Sequence, residues 1–289
     1  MLSLVIFKRR MAGMEKQRDK HLKFRALHDR EGAFVIPNPW DAGSARILAA
    51  VGFEALATTS AGLAFSIGRR DSAAALSRDV ILQNARDIVE ATELPVSADL
   101  EDGFGKDPLC CAETISLAAG VGLVGGSIED ATGDPADPVF EFGLALERVS
   151  AAAEEARKHP FVLTARAENF LCGRPDLDDT IRRLVAFEEA GADVLYAPGL
   201  PDIEAIRTVC SAVKRPVNVV MGLAGQVYTV DQLQEAGVKR ISVGGSFARA
   251  ALAALMSAAR EVKEHGTFTY AKSAMPAREA ASYMLDVKR

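Results

Sequence analysis

Residues 118–130 read Ala-Ala-Gly-Val-Gly-Leu-Val-Gly-Gly-Ser-Ile-Glu-Asp. A helix closes on small residues and glycine, an apolar strand follows, and the strand breaks off in two carboxylates. The phrase returns along the chain. Ala49-Ala50-Val51-Gly52-Phe53 precedes Ala-Leu-Ala-Thr-Thr-Ser, and Glu189-Ala190-Gly191-Ala192 precedes Asp-Val-Leu-Tyr-Ala-Pro. Glu235-Ala236-Gly237-Val238 likewise precedes Arg-Ile-Ser-Val-Gly-Gly. Glycine ends each helix because the left-handed position there penalises a Cβ. Strands that are apolar throughout, without alternation, are covered on both faces, as in parallel sheets.

Working outward, apolar runs of this kind predict strands near 33–38, 55–60, 95–101, 124–129, 161–167, 193–198, 216–221 and 240–245. Helical patterns are expected over 77–92, 108–120, 139–158, 176–190, 202–213, 229–236 and 247–264, with one more at 276–287. Such alternation predicts an α/β fold, a (β/α)8 TIM barrel with an extra C-terminal helical segment. No G-x-G-x-x-G follows the first strand, which disfavours a dinucleotide fold. The expected division is an N-terminal extension (1–23), a catalytic barrel (24–267) and a C-terminal tail (268–289) that packs on the barrel or on a neighbouring subunit. Residues 247–260 are nearly all apolar or alanine, so burial on every side is expected. That surface predicts a homo-oligomer, dimer or tetramer.

A chain of 289 residues, 49% hydrophobic, suits one α/β barrel. Net charge is −5 with the two signs interspersed, and no basic stripe invites nucleic acid. Cys110, Cys111, Cys172 and Cys210 have neither metal spacing nor a disulfide framework, which suits reduced thiols in the cytoplasm. The first ten residues hold a six-residue apolar run followed by its positive charges, so neither a signal peptide nor a membrane span is expected. Met11 and Met14 stand as alternative starts.

Barrel chemistry sits where strands end. The third strand ends in Asp99, Glu101 and Asp102, the fourth in Glu129 and Asp130. Asp99 and Glu101, two apart, point to one side of an extended chain. Like charges ~4 Å apart at an effective dielectric of about 20 cost roughly 4 kcal/mol per pair. Protonation relieves that, and so does a hard divalent cation bound by oxygen. Mg²⁺ is the expected ion, with Mn²⁺ as a substitute. The second strand ends in Thr58-Thr59-Ser60-Ala61-Gly62, whose small residues leave amides to grip a carboxylate, or else form an ordinary turn. The fifth ends in Arg166 and Glu168. Arg166 either binds a substrate carboxylate through its fork or pairs with the acids. Asn218 and Gly222 close the seventh strand; Gly244-Gly245-Ser246 after the eighth makes a phosphate cradle or a tight turn. His21, His28, His159 and His265 all lie away from strand ends, against a zinc site or a Ser–His nucleophile.

With these residues in view, the chain resembles the isocitrate lyase/phosphoenolpyruvate mutase superfamily over nearly its whole length. The family pattern D-A-D-x-G-[FY]-G is similar to Asp99-Leu-Glu101-Asp-Gly103-Phe104-Gly105, with Glu replacing the second Asp, and I-E-D is Ile128-Glu129-Asp130. N-x-[WY]-D-x-x-S-A looks like Asn38-Pro-Trp40-Asp41-Ala-Gly-Ser44-Ala45. Ser60-Ala61-Gly62, Gly68-Arg69-Arg70-Asp71 and Ala165-Arg166 match the remaining motifs. The resemblance implies a Mg²⁺-dependent reaction of a small 2-oxo acid through an enolpyruvate-like anion. It implies that Asp99 binds the metal directly while Glu101 and Glu129 hold its waters. Asp71 is implied as a further acid, with Glu129 and Arg166 catalytic beside it. Substrate contacts fall to Ser60, Ala61, Gly62, Asp71, Arg166 and Asn218.

Two departures narrow the expectation. The family's lyases carry a K-[KR]-C-G-H loop after I-E-D, and residues 131–138 here read Ala-Thr-Gly-Asp-Pro-Ala-Asp-Pro. Strand six ends Tyr196-Ala197-Pro198-Gly199, without the acid many family lyases show. The expectation is therefore a Mg²⁺-dependent C–C lyase of a small 2-oxo or 2-hydroxy acid, but not a standard isocitrate or methylisocitrate lyase. The alternatives are a phosphonopyruvate-type C–P mutase or hydrolase, and a non-catalytic 2-oxo acid binding protein.

Overall fold

The computed structural model describes residues 2–71, 76–223 and 225–285. A long helix α1 (Leu2–Asp29) leads into β1 (Phe34–Ile36), α2 (Ala42–Val51), β2 (Leu56–Ala57), α3 (Ser60–Ser66) and α4 (Arg78–Ala91). The alternation continues through β3 (Val96–Asp99), α5 (Pro108–Gly120), β4 (Gly125–Glu129), α6 (Phe142–Ala156), β5 (Val162–Arg166) and α7 (Leu177–Ala190). It ends with β6 (Val194–Tyr196), α8 (Ile203–Ala212), β7 (Val217–Val220), α9 (Val230–Glu235), β8 (Arg240–Ser242), α10 (Ser246–His265) and α11 (Ala277–Tyr283). Residues 286 and 287 of the expected last helix lie outside the described residues.

The strands form one parallel sheet in the order β1-β8-β7-β6-β5-β4-β3-β2. At its seam the Ala57 amide donates to the Pro37 carbonyl at 3.0 Å, and Asn38 Nδ2 donates to the Thr58 carbonyl at 2.9 Å. The fold is the (β/α)8 barrel expected. Gly52 and Gly191 cap α2 and α7 with φ of 103° and 107°, as the recurring phrase requires, whereas α5 and α9 are capped by Val121 and Ala236 and the left-handed glycines, Gly122 and Gly237, come one residue later.

The floor of the barrel is closed by α1, which runs unbroken through residue 23, where the sequence marks the end of an extension. Phe24 and Leu27 are buried with Phe34, Val124, Val162 and Val194. A Cβ on Gly125 would lie 2.9 Å from Phe24 Cε1, so the missing side chain makes room for the ring.

Three local expectations change. The second strand pairs over Leu56–Ala57 alone, because Thr59 caps the seven-residue α3, a helix too short to show a period in the sequence. The helix expected from 139 begins at Phe142, since residues 131–139 close on themselves through an antiparallel bridge between Ala131 and Val139. Burial of 247–260 on every side is not found within the chain. In α10 Ala248 is buried while Leu252, Leu255 and Met256 are 45%, 66% and 53% exposed. An apolar sequence marks what must be covered but not which chain covers it. The tail returns to the barrel, where Arg46 of α2 donates to the Tyr283 carbonyl and, at 3.0 Å, to that of Ala91.

Candidate active site

The ends of β2, β3, β4 and β5 bring one arginine and three carboxylates together. Arg166, last in β5, places Nη1 3.0 Å from Asp99 Oδ1, Nη2 3.1 Å from Glu129 Oε2 and Nε 2.7 Å from Glu168 Oε1. Its guanidinium lies over the Tyr196 ring, 5.0 Å from the centroid. A guanidinium has five N–H groups, and these contacts take one at each of its three nitrogens. Burial pushes the arginine's pKa down, but Glu129, Glu168 and Asp99 outweigh it and hold the charge firmly. Asp99 Oδ2 accepts from the Ser60 hydroxyl at 2.8 Å and the Ser60 amide at 3.4 Å. Of the two expectations for Arg166, pairing with the acids is seen directly, and Glu168 joins it although the sequence expectation assigned it no role.

The loop after β3 is held under strain. Glu101 (φ 47°) and Phe104 (φ 64°) are the non-glycine residues with positive φ among those described. Such strain persists where surroundings over-determine it, and Arg148 of α6 supplies the hold. Buried against the Phe140 ring, it donates to the carbonyls of Asp102 and Gly105 and, at 2.8 Å, to that of Lys106. Burial raises the Glu101 carboxyl to about 8, with Asp99, Asp102 and Asp71 adding to the effect. Burial likewise raises Glu129 well above the carboxylate range. Asp71 is raised by burial and then by Asp99.

Beneath the site, Asp130 Oδ1 accepts from the Glu168 amide at 2.8 Å, and its Oδ2 accepts from Arg183 Nη1 at 3.0 Å. Arg183 is itself fixed by Asp179, 2.8 Å from its Nε. Asp130 therefore props the β5 end and stands apart from the cavity acids.

A cavity of about 190 Å³ descends from this rim into the barrel, lined by Ser60, Ala61, Asp71, Asp99, Arg166 and Asn218 among others. A wider mouth of about 990 Å³ is lined by Glu101, Glu129 and Glu168 with Thr132 and Cys172. Asn218 sits below the rim, its Oδ1 taken by Arg240 and its Nδ2 by Ser242. Gly62 donates its amide to Thr59 Oγ1, so that amide is not free for a carboxylate. A Cβ on Gly62 would lie 2.7 Å from Thr59 Cγ2, which explains the glycine as close packing. The Val243 and Gly244 amides donate to Asn38 Oδ1, and the Ser246 amide and hydroxyl to the Val243 carbonyl, so Gly244-Gly245-Ser246 is a tight turn.

The donor set is carboxylate oxygen, which suits a hard divalent ion. Among the described residues, no three acids, histidines or cysteines converge closely enough to hold an ion between them. One direct carboxylate with others reached through water does not require such convergence, and Mg²⁺ keeps several waters. Glu101 stands among Asp99, Asp102 and Asp71, and a divalent cation relieves the repulsion within such a cluster of acids. The residues fit a hydrated Mg²⁺.

The phosphoenolpyruvate phosphomutase family matches residues 24–263, nearly the entire barrel. This chain is a member of that family. A Burkholderia cenocepacia J2315 protein solved under a provisional lyase/mutase label is 56% identical, with a TM-score of 0.91, over 93% of this chain and 96% of that one. 2,3-Dimethylmalate lyase, of the PEP mutase/isocitrate lyase superfamily, is 26% identical with a TM-score of 0.81, over 91% and 94% of the two chains. The 2-methylisocitrate lyase of Escherichia coli is 28% identical over 74% of this chain and 75% of its own. The phosphomutase-family barrel thus includes lyases at this level of similarity. No described helix is long and apolar enough to cross a membrane.

Proposed function

We propose that the protein is a Mg²⁺-dependent lyase that cleaves a C–C bond in a small 2-oxo or 2-hydroxy carboxylic acid. The observation that carries the reading is Arg166 held between Asp99, Glu129 and Glu168 at the wall of the cavity. Similarity to 2,3-dimethylmalate lyase and 2-methylisocitrate lyase supports C–C cleavage.

Asp99 would hold Mg²⁺ directly, with Glu101 and Glu129 reaching its waters. When bound, the ion supplies Lewis-acid stabilisation of an enolate oxygen. Arg166 receives the substrate carboxylate and faces the charge that grows as the bond breaks. Ser60 orients Asp99 through its hydroxyl. Cleavage moves the bond pair onto a carbon that must then take a proton, and in a 2-hydroxy acid the hydroxyl proton must leave. Asp71 and Glu129, both raised by burial, are among the groups able to hold protons there. Residues 131–138 would shield the enolate from water. This loop is internally bonded, with the Thr132 amide on the Pro138 carbonyl at 3.0 Å, so it would move as a unit.

Purified protein with Mg²⁺ is assayed for 2-oxo acid and phosphate release from oxaloacetate, methylisocitrate-type acids and phosphonopyruvate. Release of a 2-oxo acid without phosphate is the expected result. Phosphate release from phosphonopyruvate would replace the reading with C–P chemistry, and no turnover of any of them would leave a binding protein.

A further inference from the structure

The barrel interior holds a second arginine in different company. Arg240, first in β8, is 5% exposed. Its Nε donates to Asn218 Oδ1 at 2.8 Å and its Nη2 to Thr164 Oγ1 at 2.9 Å, while Nη1 is buried without a partner. Arg166 faces three carboxylates; among the described residues none is paired with Arg240. Burial lowers its pKa to about 10 and Tyr196 opposes the shift, which leaves it cationic at neutral pH. From below, α1 presents the Phe24 and His28 rings, and β1 the Phe34 ring. His28 is neutral, pushed down to about 3 by burial first and Arg240 second. No packed element therefore brings a compensating anion, although buried charges are ordinarily paired.

Arg240 is among the residues lining the same cavity whose upper end is formed by Ser60, Asp99 and Arg166. Register links the two ends. Glu129, Arg166, Tyr196, Asn218 and Arg240 are successive partners across β4 to β8. The row begins at the last residue of β4 and reaches the first residue of β8, so it runs down the barrel wall from rim to floor. Barrel interiors are ordinarily filled by branched apolar side chains. Here Ser97, Ser127, Asn218 and Ser242 line the descent instead. A volume of about 190 Å³ amounts to about six waters at roughly 30 Å³ each, room for a short carbon chain.

We propose that the cavity floor is a second anion subsite, in which Arg240 receives the distal carboxylate of a short dicarboxylic acid. That the acid's other end lies at Arg166 and Asp99 rests on the function proposed above; the subsite itself rests on the cavity and its unpaired guanidinium. The competing occupant is a water between Arg240 Nη1 and His28 Nε2, which also lacks a partner.

The test is calorimetric titration of succinate, and separately of oxalate, into the full chain with Mg²⁺ present, in wild type, Arg240→Met and Arg240→Lys. Methionine removes a buried unpaired charge at similar length, so cooperative melting is expected. Succinate affinity should fall at least about tenfold in Arg240→Met, the scale of a lost charge-assisted hydrogen bond. It should fall less in Arg240→Lys, which keeps the charge without the fork. Oxalate, too short to span to the floor, should change by less than about twofold. Succinate binding that is absent from wild type or unchanged in the variants overturns the subsite in favour of water. If Arg240→Met does not melt cooperatively, Arg240→Lys alone decides, and wild-type succinate affinity there overturns the proposal. Wild type that binds succinate through Arg240 but ignores oxalate keeps the subsite and sinks the assignment of the rim.

Discussion

Asp99 Oδ1 lies 3.0 Å from Arg166 Nη1, while Asp99 Oδ2 accepts the Ser60 hydroxyl at 2.8 Å. One carboxylate therefore ties the end of β3 to β5 through an arginine and to α3 through a serine. An ionised carboxylate offers about four lone-pair sites, so a cation can join without displacing either partner. Asp99→Ala should abolish Mg²⁺ binding and activity while the barrel still melts cooperatively, because it removes one of several mutually repelling acids. Calorimetry with Mg²⁺ and a melting curve on one preparation check this. Wild-type Mg²⁺ affinity in the variant would show that the metal is held elsewhere.

Arg166→Lys separates catalysis from scaffolding. Lysine keeps the charge but cannot span Asp99, Glu129 and Glu168 as the planar fork does. If the arginine acts on developing charge, kcat should fall roughly 10²–10³-fold, about 3–4 kcal/mol of transition-state stabilisation. Mg²⁺ affinity should persist. Near-normal turnover with a lowered melting temperature would mark the residue as structural only.

Glu101 sets a pH dependence whose sign is fixed. Its carboxyl is raised to about 8, by burial first and by Asp99 next, from an ordinary value of 4.5. Between these values the native protein holds a proton that the unfolded chain has lost. Metal-free stability should therefore decrease as pH rises through that window, and the loss is complete above about 8. Glu101→Gln should flatten the decline in melting temperature. Mg²⁺ favours the ionised acid, so its affinity in wild type should rise over the same interval with release of a proton. Equal pH slopes for Glu101→Gln and wild type would remove Glu101 from the account.

The oligomer expected from the sequence has its test in α10. Leu252, Leu255 and Met256 stand exposed on this helix, and exposed apolar clusters mark association surfaces. Leu255→Asp should shift the molar mass measured by light scattering to that of one chain. A wild type that is already monomeric would leave the face without that partner.

Legibility of this fold followed burial. Strands covered on both faces announced themselves as apolar runs, and the acids at their ends stood out against them. The seven-residue α3 (Ser60–Ser66) did not, because two turns hold no period to detect. Glu168 was visible as a strand-end acid, yet its contact with Arg166 Nε depends on the Asp130–Arg183 prop formed by residues 53 apart. Arg148 lay inside an ordinary helical pattern, and nothing local said that it would reach three carbonyls of the loop after β3. Arg240 sits at the start of its strand, away from the ends where chemistry was sought. Its signal was a charge opening the Ile241-Ser242-Val243 strand run.

The Asp130–Arg183 pair gives the last prediction. Both side chains are buried, 2% and 5% exposed, and the pair fixes the backbone from which Glu168 meets Arg166. Removing one member strands the other: Asp130 would keep the Glu168 amide but lose the cation that balances its buried charge, and such breaks cost about 3–5 kcal/mol. Arg183→Met should therefore lower stability by about that amount in denaturant titration. Asp130→Asn with Arg183→Met should recover part of the loss, since both charges leave together, and the double-mutant cycle reads the coupling. Activity distinguishes a prop from a bystander. If Asp130 orients Glu168 through its amide, the double variant should stay below wild type in kcat even where stability returns. Restored stability with wild-type kcat would confine the pair to holding the fold.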